Sequence, residues 1–210
     1  MEHEHFRFIE LLNVALTVML KFILMDWLGM RAFYIAGISF FWLGYVIYRY
    51  YLDPSVLNYW GYKRKNFGKS MGILLPFIGI SLCITLVNSK LNRIPILNPH
   101  IIPVIILYPI WGTVQQFMLV CIVGQNLQNT DFFSKRKYRL LIAVSGLFGL
   151  IHYPYWSLMI FTFIMELIFL RVYMQWRNIW AIGVSHGLIA TFLLYFVLNR
   201  DLWIELFAWF

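Results

Sequence analysis

Pro109-Ile110-Trp111-Gly112-Thr113-Val114-Gln115-Gln116-Phe117-Met118-Leu119-Val120 decides how the rest of the chain is read. The stretch lies inside an apolar run from about Ile101 to Leu127, long enough to cross a bilayer as a helix, and it carries two adjacent amides. An unpaired amide in hydrocarbon costs several kcal/mol, so Gln115 and Gln116 need partners on other helices or in a wet cavity. The sequence offers His152 and His186 as those partners.

Outward from this stretch the same texture continues. The chain has 210 residues, of which 61% are hydrophobic, 20% aromatic and only 12% charged. Soluble domains carry about 25% charged residues, and this composition leaves too little polar surface to cover a water-soluble globule. The expectation is an all-α polytopic membrane helix bundle of about seven transmembrane helices, residues 1–210 forming a single transmembrane domain. No Gly/Ser/Pro-rich linker or soluble block divides it.

The net charge of +8 does not indicate nucleic acid. Its Lys and Arg residues fall in short clusters between apolar runs, where cytoplasmic loops carry them. Cys83 and Cys121 lie within expected spans without a C-x-x-C pair or metal-ligand spacing, so both are expected as free thiols. No cofactor motif is present.

The expected spans are about Phe8 to Leu28, Phe33 to Leu52, Met71 to Val87, Ile101 to Leu127, Leu140 to His152, Ser157 to Tyr173 and Ile179 to Leu198. The mixed-charge start, Met1 to Arg7, precedes no cleavage site, so the first span reads as retained. The last residues, Trp203 to Phe210, read as a short interfacial tail. Basic loops after the second, fourth and sixth spans share one side. By the positive-inside rule the N-terminus is then cytoplasmic and the C-terminus outside. Trp42, Trp60, Trp111, Trp156, Trp176 and Trp180 cluster at span ends and read as interfacial anchors or lipid-facing packing.

Depth arithmetic brings the polar residues together. At 1.5 Å per residue, Gln116 is about 22 Å along its helix from Asp131, His152 about 20 Å from Arg139 and His186 about 14 Å from Arg177. Tilt and side-chain length absorb that spread, so one cavity near the midplane or in the cytoplasmic half could hold all three. Glu166 is ionisable and at comparable depth. It reads either as an ion-pair partner of Arg171 or Lys21, or as a general base. Two histidines without a third obvious ligand leave a metal shell short.

Phe148-Gly149-Leu150-Ile151-His152 and His186-Gly187-Leu188-Ile189-Ala190, following Gln115-Gln116-Phe117-Met118-Leu119-Val120, resemble the CPBP family of intramembrane proteases. That family includes CAAX prenyl endopeptidases and bacteriocin-processing, Abi-type proteins. It carries E-E-x-x-x-R, F-x-x-x-H and H-x-x-x-N on successive helices. The resemblance covers about Ile101 to Leu198, with residues 1–100 as N-terminal helices. It implies that His152 would orient a water and His186 would polarise a carbonyl. Gln115 and Gln116 stand where the family keeps glutamates, Val120 where it keeps arginine and Ala190 where it keeps asparagine. An amide cannot take a proton from water near pH 7, and loss of a general base removes on the order of 10² to 10⁴ in rate.

Three functions stay open on the sequence. The first is a catalytically impaired pseudoprotease that binds a transmembrane or a prenylated or otherwise lipidated protein or peptide in the old substrate cavity. The second is an active intramembrane endopeptidase using His152, His186 and Glu166. The third is a structural subunit of a membrane complex, in which Gln115 and Gln116 serve only helix–helix hydrogen bonding. Membrane lipid surrounds the protein in each case, and the compact size and short loops suit a prokaryotic plasma membrane.

Overall fold

The computed structural model describes residues 2–207, with side chains from Phe8 onward. Met1 of the mixed-charge start and residues 208–210 of the expected tail lie outside it. Among the described residues every regular element is helical. A chain this apolar satisfies its backbone inside hydrocarbon only by internal hydrogen bonds, which a helix supplies locally.

In chain order, α1 (Glu2–Leu20) continues as a π-helical segment (Lys21–Trp27), followed by α2 (Arg31–Leu52) and the short α3 (Val56–Trp60). Next come α4 (Phe67–Leu91) and α5 (Ile101–Gln116), which runs through a second π-helical segment (Phe117–Gly124) into α6 (Gln125–Gln128). After α7 (Asp131–Ser134), the helices α8 (Lys137–Leu150), α9 (Trp156–Trp176), α10 (Ile179–Phe196) and α11 (Leu202–Phe207) complete the chain.

Six of these stretches are long and apolar enough to cross a membrane: Phe8–Trp27, Arg31–Leu52, Phe67–Leu91, Ile101–Gln128, Trp156–Trp176 and Ile179–Phe196. The polytopic bundle is therefore as expected. The remaining expected span, Leu140 to His152, corresponds to α8, which has 14 residues. At about 21 Å it falls short of the roughly 30 Å hydrocarbon thickness. The chain instead turns at Ile151–Pro154, which seats His152 at a helix end.

The three basic loops meet at one end of the bundle. Asn178 Nδ2 donates to the carbonyls of Lys63 (2.7 Å) and Lys65 (3.0 Å), Asn66 Nδ2 donates to Trp176 O (3.1 Å), and Gln125 Nε2 donates to Tyr59 O (3.2 Å). The opposite end is closed by α11, where Glu205 pairs with Arg31 and Asp201 accepts from Asn98 (2.9 Å). Lys21 pairs with Asp26 at 2.6 Å and donates to Ile151 O at 3.0 Å, a five-residue spacing that the π-helical turn brings into register.

α10 is the central helix, packed between α4 and α5. α4 turns a stripe of Ser70, Leu74, Ile78, Ser81, Thr85 and Ser89 inward, spaced at three or four residues. Small residues at such interfaces let backbones approach where lipid supplies no hydrophobic driving force. The α5–α10 crossing is closer still. A Cβ on Gly183 would lie 2.6 Å from Thr113 Cα, and one on Gly187 would lie 2.4 Å from Pro109 Cα. Both obstacles are backbone and cannot rotate away. Gly187→Ala is accordingly expected to cost about 1–3 kcal/mol, the usual range for overpacking, and to lower the thermal midpoint in detergent. An unchanged midpoint would show the crossing to be loose.

The tryptophan expectation needs correction for three residues. Trp42 and Trp60 are 2% exposed and Trp111 is 8% exposed, whereas Trp156 and Trp180 are 69% and 45% exposed. Phe117 meets Trp60 edge-on at 5.0 Å and Trp42 at 5.9 Å, and Tyr34 meets Trp111 at 5.9 Å. These rings pack on one another between α2, α3 and α5 instead of facing lipid, because offset and edge-to-face contacts reward ring clustering beyond area alone. The two cysteines are free, Cys83 exposed and Cys121 buried.

Asp201 lies in the turn before α11, outside the spans. Burial acts to raise its carboxyl, but hydrogen bonds from Asn98, His100, the Ile204 amide and the Tyr195 hydroxyl outweigh burial and hold it at about 2. A depressed folded value means the stabilisation is fully present above the unfolded value near 3.8 and is lost as pH falls toward about 2. Acidification across that window is expected to lower the protection of the Ile204 amide, its exchange rate taken relative to the intrinsic rate of an unprotected amide at the same pH. The Asp201→Asn chain should lack this step.

Candidate functional site

The site is built where α5, α8, α9 and α10 converge. The α5–α10 crossing seats His186 against α5, since a Cβ on Gly112 would stand 3.2 Å from His186 Cδ2. Gln116, on the same helix as Gly112 and one turn further on, is fully buried. Its Nε2 donates to Glu166 Oε2 on α9 at 2.9 Å and to His186 Nδ1 on α10 at 3.0 Å. An amide nitrogen carries two hydrogens and accepts nothing, so in this orientation of the amide both are used, His186 Nδ1 accepts, and Gln116 Oε1 is left buried without a partner among the described residues. The proton of the His186 ring therefore sits on Nε2.

His152 is set the other way. Its Nδ1 lies 2.8 Å from Phe148 O, and because a carbonyl only accepts, the proton is on Nδ1. In the neutral ring Nε2 is left as an acceptor. The Phe148 ring stands between the two imidazoles, 4.9 Å from His152 and 5.6 Å from His186 by ring centroids. The pair thus offers one accepting and one donating ring nitrogen beside the same aromatic ring.

Gln115 and Gln116 differ by about 100° around the helix, and that rotation separates their roles. Gln115 lines a cavity of about 530 Å³ together with Phe148, His152, His186 and Ala190. Gln116 and Glu166 are not on its wall. The volume is within the range of small-molecule and cofactor sites, about 300–1,000 Å³. The wall is largely apolar, from helices α1, α2, α5, α8, α9 and α10, with polar groups concentrated at the histidines and at the end covered by α11.

The expected convergence is present for Gln116 with His186, and for Gln115, His152 and His186 around one cavity. Gln115 bonds to neither histidine, and its Oε1 is buried without a partner among the described residues. Glu166 departs from both expectations. It is paired with neither Arg171 nor Lys21, and it stands behind Gln116, fully buried, with Oε1 unpartnered among the described residues. Lys21 is taken by Asp26 instead. Val120 is fully buried in the π-helical segment, all eight residues of which are buried, so apolar packing replaces the family's charge there. Among the described residues no three His, Cys, Asp or Glu side chains lie close enough to share a metal ion.

The Gln116–Glu166 bond escaped the sequence reading, although a signal existed. Glu166 and the glutamines are each at mid-depth and each in need of a partner, and an amide satisfies a buried carboxylate as a cation would. The cationic cavity mouth, with Arg31 and Arg200, carried no local motif.

A family model, type II CAAX prenyl endopeptidase Rce1-like, matches residues 6–192. The chain belongs to this family. The match reaches back through the N-terminal helices, so the family likeness extends well beyond the Ile101 to Leu198 core expected from the motifs. Comparison with curated proteins and with solved structures returns no match. A CAAX-protease-like membrane protein is thus the functional frame for the cavity and its histidines.

Proposed function

We propose that the protein is a catalytically impaired member of the Rce1-like family that uses its cavity to hold the lipidated or transmembrane segment of a partner. The observation that carries this reading is that the motif positions on the cavity wall hold no carboxylate: Gln115 stands there with His152 and His186, and the acids that do line the wall, Asp26 and Glu205, are each taken by a cation. Glu166 is screened from the cavity by Gln116, and both amide hydrogens of Gln116 are committed. The apolar wall suits a prenyl or acyl chain, whose burial contributes roughly 0.8 kcal/mol per CH₂. The basic end of the bundle would face the cytoplasm, with the N-terminus inside and the C-terminus outside, as suits a prokaryotic plasma membrane.

One feature favours the active-endopeptidase alternative. His152 Nε2 is free to accept a proton and His186 Nε2 is free to donate one, the two functions needed to activate water and polarise a carbonyl. In that alternative Glu166 would act through Gln116 to fix the His186 tautomer.

The deciding experiment offers the purified chain in micelles a prenylated peptide and its unprenylated counterpart. Preferential binding of the prenylated peptide with no cleavage product is the expected result. Cleavage that is abolished by His152→Ala would overturn the impaired reading in favour of the enzyme. Binding of neither peptide would leave the structural-subunit reading in possession.

A further inference from the structure

At the far end of the cavity from Gln115, the wall changes character. Arg31, Arg200 and Glu205 line it there, and the Lys21–Asp26 pair lines it at the His152 turn, where Lys21 donates to Ile151 O at 3.0 Å. Arg200 grips Glu205 with both oxygens engaged, Nε to Oε1 at 2.9 Å and Nη2 to Oε2 at 2.6 Å, and Arg31 Nη1 donates to the same Oε2. Two guanidiniums from separate parts of the fold therefore converge on one carboxylate. The planar fork of arginine matches carboxylate and phosphate oxygens in this way.

The pairing at the mouth is uneven. Asp26 is matched by Lys21 and Asp201 bonds to His100 and Asn98, while Arg31 and Arg200 share the single carboxylate of Glu205. Arg31 is also the first residue of α2, where the helix dipole adds positive potential and favours an anion. The carboxylate that fills the site is carried on α11, a six-residue helix at the end of the described chain. α11 lays Leu202, Trp203 and Leu206 against the cavity while it offers Glu205 to the guanidiniums. In outline it is an amphiphile with an anionic head at the mouth and an apolar body inside.

We infer that Arg31 and Arg200 form an anion site at the cavity mouth, held by Glu205 in this structure, which receives the carboxylate or phosphate head of an amphiphile whose apolar tail enters the cavity. This rests on the tail-binding reading of the cavity given above and adds the head-group chemistry and the competitor. Glu205 has to leave the guanidiniums as the ligand head arrives, so α11 opens and closes in exchange with ligand.

The test uses the full chain in neutral detergent with parinaric acid as a fluorescent probe and its methyl ester as the uncharged control. The acid is expected to bind at least about tenfold more tightly than the ester, the scale of a charge-assisted hydrogen bond. Glu205→Gln is expected to tighten the acid about tenfold and leave the ester unchanged, because the competitor loses its charge. Arg31→Gln with Arg200→Gln should bring acid and ester to equal affinity. Lysophosphatidic acid should displace the probe while inorganic phosphate alone does not, which separates a lipid head from a free anion. Displacement by inorganic phosphate alone would overturn the amphiphile and leave a simple anion site. Equal affinity of acid and ester in the unaltered chain would overturn the anion site yet leave the tail-binding cavity standing, and binding of neither would overturn both. The acid-to-ester ratio of the unaltered chain decides the matter even where a variant fails to fold.

Discussion

Replacing Gln116 by leucine is expected to destabilise the bundle by roughly 2–6 kcal/mol, since two buried groups lose their partner at once and each such loss costs about 1–3 kcal/mol. The groups are Glu166 Oε2 and His186 Nδ1, both bonded to the one Gln116 nitrogen. Leucine nearly matches the volume of glutamine, so little of the effect would come from a cavity. The diagnostic result is the coupling. Glu166→Leu should cost less in the Gln116→Leu background than in the native chain, by about 0.5–3 kcal/mol, because the carboxylate is already orphaned there. Thermal unfolding in micelles measures the cycle, and additive costs would show that the 2.9 Å contact carries no energy. The same substitution should free the His186 proton to occupy either nitrogen, which nitrogen-15 shifts of the labelled ring would report. Any ligand placement that uses the donor at His186 Nε2 should weaken together with that tautomer.

Glu10→Leu is expected to be the second large effect, about 3–5 kcal/mol, the range for leaving one member of a buried ion pair without the other. Glu10 is 7% exposed and accepts from Arg49 Nη1 at 2.7 Å, from the Tyr45 hydroxyl and from Asn126 Nδ2 at 2.6 Å. One carboxylate thereby ties α1 to α2 and to α6. Its removal takes from the Arg49 guanidinium its carboxylate, leaving beside it the Tyr45 hydroxyl at 2.7 Å and the Trp60 ring centroid at 5.5 Å, neither of which carries a negative charge. Adding Arg49→Met should recover most of the loss, because a buried pair replaced whole by apolar side chains is often neutral. Failure of the double substitution to recover would assign the energy to Tyr45 and Asn126 instead.

The two sites differ in how readily a sequence discloses them. Gln115, Gln116, His152 and His186 stood out because polar groups are rare and expensive inside apolar runs, so each one demanded a partner. Their convergence followed from helix rise and the position of the basic loops. Phe148 was recognisable one turn before His152, and the structure places its ring between the two histidines. Glu10, by contrast, lies three residues into the first expected span, where an acid near a helix end carries no sign of a distant partner. Nothing local ties it to Arg49 or Asn126, 39 and 116 residues away.

Similar limits apply to the tryptophans and to α8. Trp60 and Trp156 both lie at the edges of spans, and only the packing of α2, α3 and α5 separates the buried one from the exposed one, while Trp42 lies midway along α2 and faces that same interface. The length of α8 was blurred because its apolar composition continues through Ile151 into the turn.

What the amino-acid order determined alone was the membrane, the helical class, the family, the grouping of basic loops and the residues that had to meet. Those follow from hydropathy, helix rise and motif spacing, which are local and additive along the chain. Tertiary structure decided which glutamine faces the cavity and which is committed behind it, that Glu166 holds an amide instead of a cation, and that Arg31 and Arg200 share one carboxylate from α11. These depend on the rotation of one helix against another and on close approaches such as Gly187 on Pro109, where a fraction of an ångström selects the partner. Such rotations are set by all the neighbours at once, and no single stretch of sequence contains them.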